Sequence, residues 1–169
     1  MLSSVPRMLR PLFAAVSLLA AGAASAADPA QIDEGLRLFR GVGQCDTCHV
    51  WTGTGGLITD LPPHYNVPSL VTSKLTRQEL IDLLACGTPG GVMPQFLARA
   101  WTEPRRCYGK VLADLPPEER APKPFSAMTQ PQIEAVVAFI QEVYQGKGMS
   151  FAYCQKYHGE KSPACDFLR

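Results

Sequence analysis

Gly43-Gln44-Cys45-Asp46-Thr47-Cys48-His49 is the stretch on which the reading of this chain turns. Its two thiols stand at i and i+3 and its imidazole at i+4. On one helical turn those three side chains share a face. Thiols and imidazole held side by side can form two bonds to one rigid group while a ring nitrogen reaches that group's centre. Upstream, Asp28-Pro29 supplies a cap and a proline for a first helical position, and Ile32, Leu36 and Phe39 recur at helical spacing. The spacing therefore predicts a helix over 28–48 that runs into the motif. Gly35 weakens that helix, which points to close approach of a second helix there.

Cys-x-x-Cys-His is the attachment signature of a c-type haem. A redox dithiol would follow a strand and open a helix, whereas here a helix precedes the motif. A zinc site would need a second ligand pair at suitable spacing, and Cys154 and Cys165 are too far apart. The expected cofactor is one covalently bound haem c, with His49 on the iron.

The rest of the chain wraps that site. Residues 51–73 are rich in Gly and Pro without sustained periodicity, as expected of a segment lying around a large rigid cofactor. Thr76-Arg77-Gln78-Glu79 is a capping box, and Leu80, Ile81, Leu83 and Leu84 give an amphipathic helix stopped at Gly87. Thr129 to Tyr144 form the last strong helix, with Pro131 near its start and Ile133, Val136, Val137, Ile140 and Val143 facing inward. No strand pattern persists. The expected class is all-α, about three to five helices around one haem, with long loops.

Between the last two helices, Thr88-Pro89-Gly90-Gly91-Val92-Met93-Pro94 cannot be helical. A thioether opposite the histidine is the usual second axial ligand in electron carriers. Met93, bent between two glycines and a proline, is the favoured ligand, because no helical face there needs filling. Met128, just before the last helix, is a rival expected instead to pack beneath it. His64 is another, and an open sixth position a third. Leu70, Leu80, Leu84, Phe96 and Phe139 are candidates for an apolar shell or for plain core.

The ends and the cysteines set the compartment. Arg7 and Arg10 precede an apolar run from Leu12 to Ala24 that closes on Ala24-Ser25-Ala26-Ala27, the layout of a secretory signal peptide over 1–26. The run is shorter than the roughly 20 residues a bilayer span requires, so no membrane span is expected after cleavage. Loss of those two arginines from 16 basic residues leaves 14 against 15 acidic, which excludes the basic excess of a nucleic-acid binder. Export to an oxidising compartment, read as the periplasm, favours disulfides. Cys86, Cys107, Cys154 and Cys165 allow three pairings; Cys86–Cys107 with Cys154–Cys165 is preferred because each closes a short local loop. Arg99, Arg105, Arg106 and Lys110, offset by Glu103, are either a steering patch for an acidic partner or a solvated loop.

The order of these parts resembles the class I mono-haem cytochrome c family. The likeness runs over about 28–145: Gly35 and Phe39 in the first helix, Cys45 to His49, Pro68-Ser69-Leu70, Cys86-Gly87, Val92-Met93-Pro94-Gln95-Phe96, and Phe139-Ile140 with Tyr144 in the last helix. The resemblance implies a cytochrome c domain over 27–146, with first and last helices crossed at Gly35 and Phe39. It implies His49 and Met93 as axial ligands, with Pro68 as the backbone neighbour of His49. It also implies an electron carrier, not an enzyme, exchanging single electrons with redox proteins such as a dehydrogenase donor or an oxidase acceptor. The alternative is the haem-bearing subunit of a periplasmic dehydrogenase, for example a quinoprotein alcohol dehydrogenase. An insertion at 97–128, four further cysteines and a tail over 147–169 depart from the family pattern.

Overall fold

The computed structural model describes residues 28–58, 65–103 and 106–169. The expected signal peptide, His64 and Arg105 lie outside the described residues. The described chain is mostly helical: α1 (Pro29–Arg40), α2 (Asp46–His49), α3 (Arg77–Cys86), α4 (Gln130–Val143) and α5 (Phe151–His158), with short 3₁₀ turns at Leu112–Asp114, Pro117–Glu119 and Pro163–Leu168. This bears out the all-α class in its coarse form.

The core is built where α1 crosses α4. A Cβ on Gly35 would lie 2.1 Å from the Ala135 carbonyl oxygen and 2.6 Å from Phe139 Cβ, so only glycine lets the two backbones come this close. Beside that contact the rings of Phe39, Phe139 and Tyr144 pack with centroids 5.3–5.6 Å apart. All three are fully buried, and tilted aromatic packing of this kind adds to their area burial. α3 packs on α4 from the other side, with Leu80, Ile81 and Leu84 turned inward. Its capping box is complete: the Glu79 amide donates to Thr76 Oγ1, and the Thr76 amide donates to the Glu79 carboxylate at 2.7 Å.

Two expectations are corrected. The helix over 28–48 is two pieces, because α1 stops at Arg40 and Gly41-Val42-Gly43-Gln44 turns the chain before α2. The carbonyls of Leu38 and Phe39, left open at the end of α1, accept from the amides of Gly43 and Cys45, each at 2.8 Å. A small antiparallel pair, β1 (Gly56–Ile58) with β2 (Tyr65–Val67), interrupts the region read as irregular; Leu57 faces Asn66 in its register. The tail over 147–169 carries α5, which begins on a Ser150 cap and ends at Gly159.

Both preferred disulfides are present, Cys86–Cys107 and Cys154–Cys165. The first ties the end of α3 to the 97–128 insertion, and the second closes the tail on itself. Cys45 and Cys48 are free thiols. Among the described residues no helix is long and apolar enough to cross a membrane.

Candidate functional site

The end of α1, the loop before α3, α3 itself and the loop after it enclose a cavity of about 860 Å³. That is the upper part of the range of roughly 300–1,000 Å³ usual for small-molecule and cofactor sites. Cys45, Cys48, His49 and Met93 all line it. The walls are largely apolar, and Leu70, Leu80, Leu84 and Phe96 belong to them. Phe139, also named as a shell candidate, does not line the cavity and belongs to the α1–α4 crossing.

Backbone geometry places the motif. Gln44 and Val50, which bracket the turn of α2, both have left-handed backbone, with φ of 47° and 50°. A β-branched valine there is a true outlier. Such conformations persist where the surroundings over-determine them. On the far side, Tyr144 donates to the Trp51 carbonyl at 2.8 Å. A Cβ at Gly53 would strike the Tyr144 ring at 2.4 Å. The chain leaving the motif is thus pressed onto the core.

His49 is oriented by one bond. Its Nδ1 lies 3.2 Å from the Pro68 carbonyl oxygen. A carbonyl only accepts, so Nδ1 carries the proton and Nε2 keeps its lone pair. Burial holds the His49 pKa below its ordinary value, with the Pro68 bond opposing in part. At neutral pH the ring is therefore neutral, with one nitrogen free to coordinate. Burial, helped by the neighbouring Asp46 charge, pushes the Cys45 thiol up to about 12, and burial also raises Cys48. Neither cysteine is a ready thiolate, which disfavours redox-dithiol chemistry.

One expectation is overturned. The sequence reading made the chain an iron- and metal-binding cytochrome; among the described residues no group of three or more His, Cys, Asp or Glu could hold a metal ion. The one carboxylate of the motif, Asp46, is engaged elsewhere, accepting a hydrogen bond from Tyr157. The metal-binding part of that reading is therefore not supported by any cluster of ligating side chains among the described residues.

Of the rival ligands, Met128 is buried beside Gly43 and does not line the cavity. Several lining residues carried no sequence signal. Tyr65, Asn66 and Val67 reach the cavity through β2, and Pro124 and Phe125 reach it from the insertion. Phe125 is 94% exposed, an isolated large aromatic at the cavity mouth. Arg106, read as part of a basic patch, is paired with Glu103 at 3.3 Å and bonded to Gln130. Compared with protein-family models, with curated proteins and with solved structures, the chain matches none.

Proposed function

We propose that this protein is a periplasmic electron carrier of the class I cytochrome c type, holding one covalent haem c between His49 and Met93. The observation that carries the reading is that both thiols of the motif, its imidazole and Met93 line one apolar cavity of cofactor size. A bound haem supplies an iron that takes up and returns a single electron. The chain's part is to hold and shield it. Cys45 and Cys48 are the thiols for two thioether bonds. The Pro68 carbonyl fixes the His49 tautomer, so that Nε2 is the coordinating atom. Met93 faces the same cavity from the opposite loop, and Leu70, Leu80, Leu84 and Phe96 exclude water. The crossing of α1 and α4 at Gly35 and Phe39 agrees with the same reading of the fold. The two disulfides favour an oxidising compartment, which suits the periplasm.

Exposed Phe125 at the cavity mouth favours a protein partner seated there, as in a haem-bearing subunit of a dehydrogenase. Stable co-purification with a larger chain separates that arrangement from a free shuttle.

The test is the optical spectrum and intact mass of the protein purified from an exporting host, beside Met93→Ala. Wild type should carry covalent haem and the weak far-red band of sulfur-to-iron coordination. Met93→Ala should keep the haem and lose the band. A wild-type mass without haem, after expression with haem-attachment machinery, overturns the reading.

A further inference from the structure

Besides lending Pro124 and Phe125 to the cavity, the 97–128 insertion grips the loop that carries Met93. Three of its side chains converge on two consecutive residues, Cys86 and Gly87, where that loop begins. Cys107 is bonded to Cys86. The buried Trp101 ring nitrogen donates to the Cys86 carbonyl at 3.0 Å. Tyr108 donates its hydroxyl to the Gly87 carbonyl at 2.6 Å. Tyr108 does this from a left-handed backbone, φ 55°, followed by Gly109 at 70°, in a tight turn closed by the Lys110 amide on the Cys107 carbonyl at 2.9 Å. A tyrosine is an unfavourable residue for that conformation. Its anchored ring and the neighbouring disulfide account for its persistence there.

The later part of the insertion takes hold of the loop further along. The Gly90 amide donates to the Glu119 carbonyl at 2.8 Å and the Gln95 amide to the Pro122 carbonyl at 2.9 Å. Met93 thus sits midway between two backbone bonds to the insertion. Gly87 packs so tightly beneath it that a Cβ there would lie 2.7 Å from the Met93 carbonyl oxygen. The loop contributes few bonds of its own, chiefly Thr88 to Met93 and Gly91 to Thr88, each at 3.0 Å.

We propose that the insertion, with the Cys86–Cys107 disulfide and Tyr108 as its positioning residues, is a clamp that keeps Met93 in the cavity, so that releasing it opens the sixth position of the iron. The inference rests on the His49–Met93 reading of the site. It differs from that reading in making the strength of the Met93 bond depend on residues that never touch the cofactor.

Two variants test it in the full-length holoprotein: Tyr108→Phe, which removes one hydroxyl, and Cys86→Ser/Cys107→Ser, which removes the tie. In both, amide exchange at Gly90 and Gln95 should accelerate, by about fivefold for the loss of one net hydrogen bond and further for the double variant. The far-red band should weaken in the first and vanish in the second, and the reduced double variant should bind carbon monoxide while wild type does not. Wild-type exchange and an intact band in both variants would refute the clamp. So would faster exchange with an intact band, because the insertion would then order the loop without holding the ligand. A wild type that carries haem but lacks the band overturns the ligand assignment instead. Should the double variant not fold, Tyr108→Phe alone decides by the same readouts.

Discussion

At position 35 a single methyl group has no room, because the Ala135 carbonyl oxygen is 2.1 Å from where it would sit. That atom belongs to helix backbone and cannot swing aside, so Gly35→Ala must push α1 off α4. Overpacking of this kind costs about 1–3 kcal/mol, against a gain of less than about 1 kcal/mol from better helix propensity. The expected outcome is a lower melting temperature. An unchanged or raised one would show that the helices slide apart freely. Phe39→Ala, which empties the neighbouring aromatic contact, should cost about 3–5 kcal/mol, measured by denaturant unfolding. Residue-scale features were the most legible in the sequence. Gly35 announced a close approach because nothing local explains a glycine in mid-helix, and the motif announced three side chains on one face. Phe125 and the β2 residues were not legible, because they reach the cavity through chain reversals that no spacing encodes.

At the scale of elements, legibility followed the strength of the local signal. α3 and α4 carry a capping box each, five or more inward apolar residues and a clear stop, and they lie within a residue or so of where the pattern put them. α1 was read too long because its apolar period continues to Phe39 and leads into the motif, although Gly41 and Gly43 mark the turn that ends it. β1 and β2 are three residues each, too short for alternation to register. α5 is eight residues long and buries only Cys154 and Tyr157. A helix that short draws its stability from tertiary contacts, which the sequence does not display. The cap of α3 gives a pH-dependent prediction. Hydrogen bonds from the Thr76 backbone and side chain hold the Glu79 pKa below its ordinary value of 4.5. The charged carboxylate is therefore the form that the folded state favours, so this stabilisation is complete above about 4.5 and fades as pH falls through the lowered folded value. Melting temperatures of wild type and Glu79→Ala should differ by a constant amount at neutral pH and converge in acid. A gap that widens as pH falls would contradict the assignment.

For the molecule as a whole, the two disulfides divide the work between the two faces of the site. Cys86–Cys107 serves the Met93 side, and Cys154–Cys165 serves the motif side through α5. Tyr157 donates its hydroxyl to the Asp46 carboxylate, inside the motif itself, while Arg40 bonds the Tyr157 carbonyl and lies over its ring at 4.4 Å. Trp51, two residues beyond His49, packs edge-on against His158 at 4.6 Å and against Phe167 at 5.9 Å. The tail thus braces the turn that carries Cys45, Cys48 and His49, and the staple keeps α5 and the final 3₁₀ turn together as one body. Replacing both cysteines, Cys154→Ala/Cys165→Ala, should cost about 2–4 kcal/mol through the freed unfolded chain. A second consequence distinguishes a brace from a mere staple. Amides at the α2 turn, Cys48 and His49, which donate to the Cys45 carbonyl at 3.3 and 2.8 Å, should exchange faster in the variant, whereas those at the centre of α4 should slow or quicken only with global stability. Hydrogen exchange followed residue by residue reads both at once. Acceleration confined to α5, with the α2 turn unmoved, would show that the tail rests on the motif without holding it.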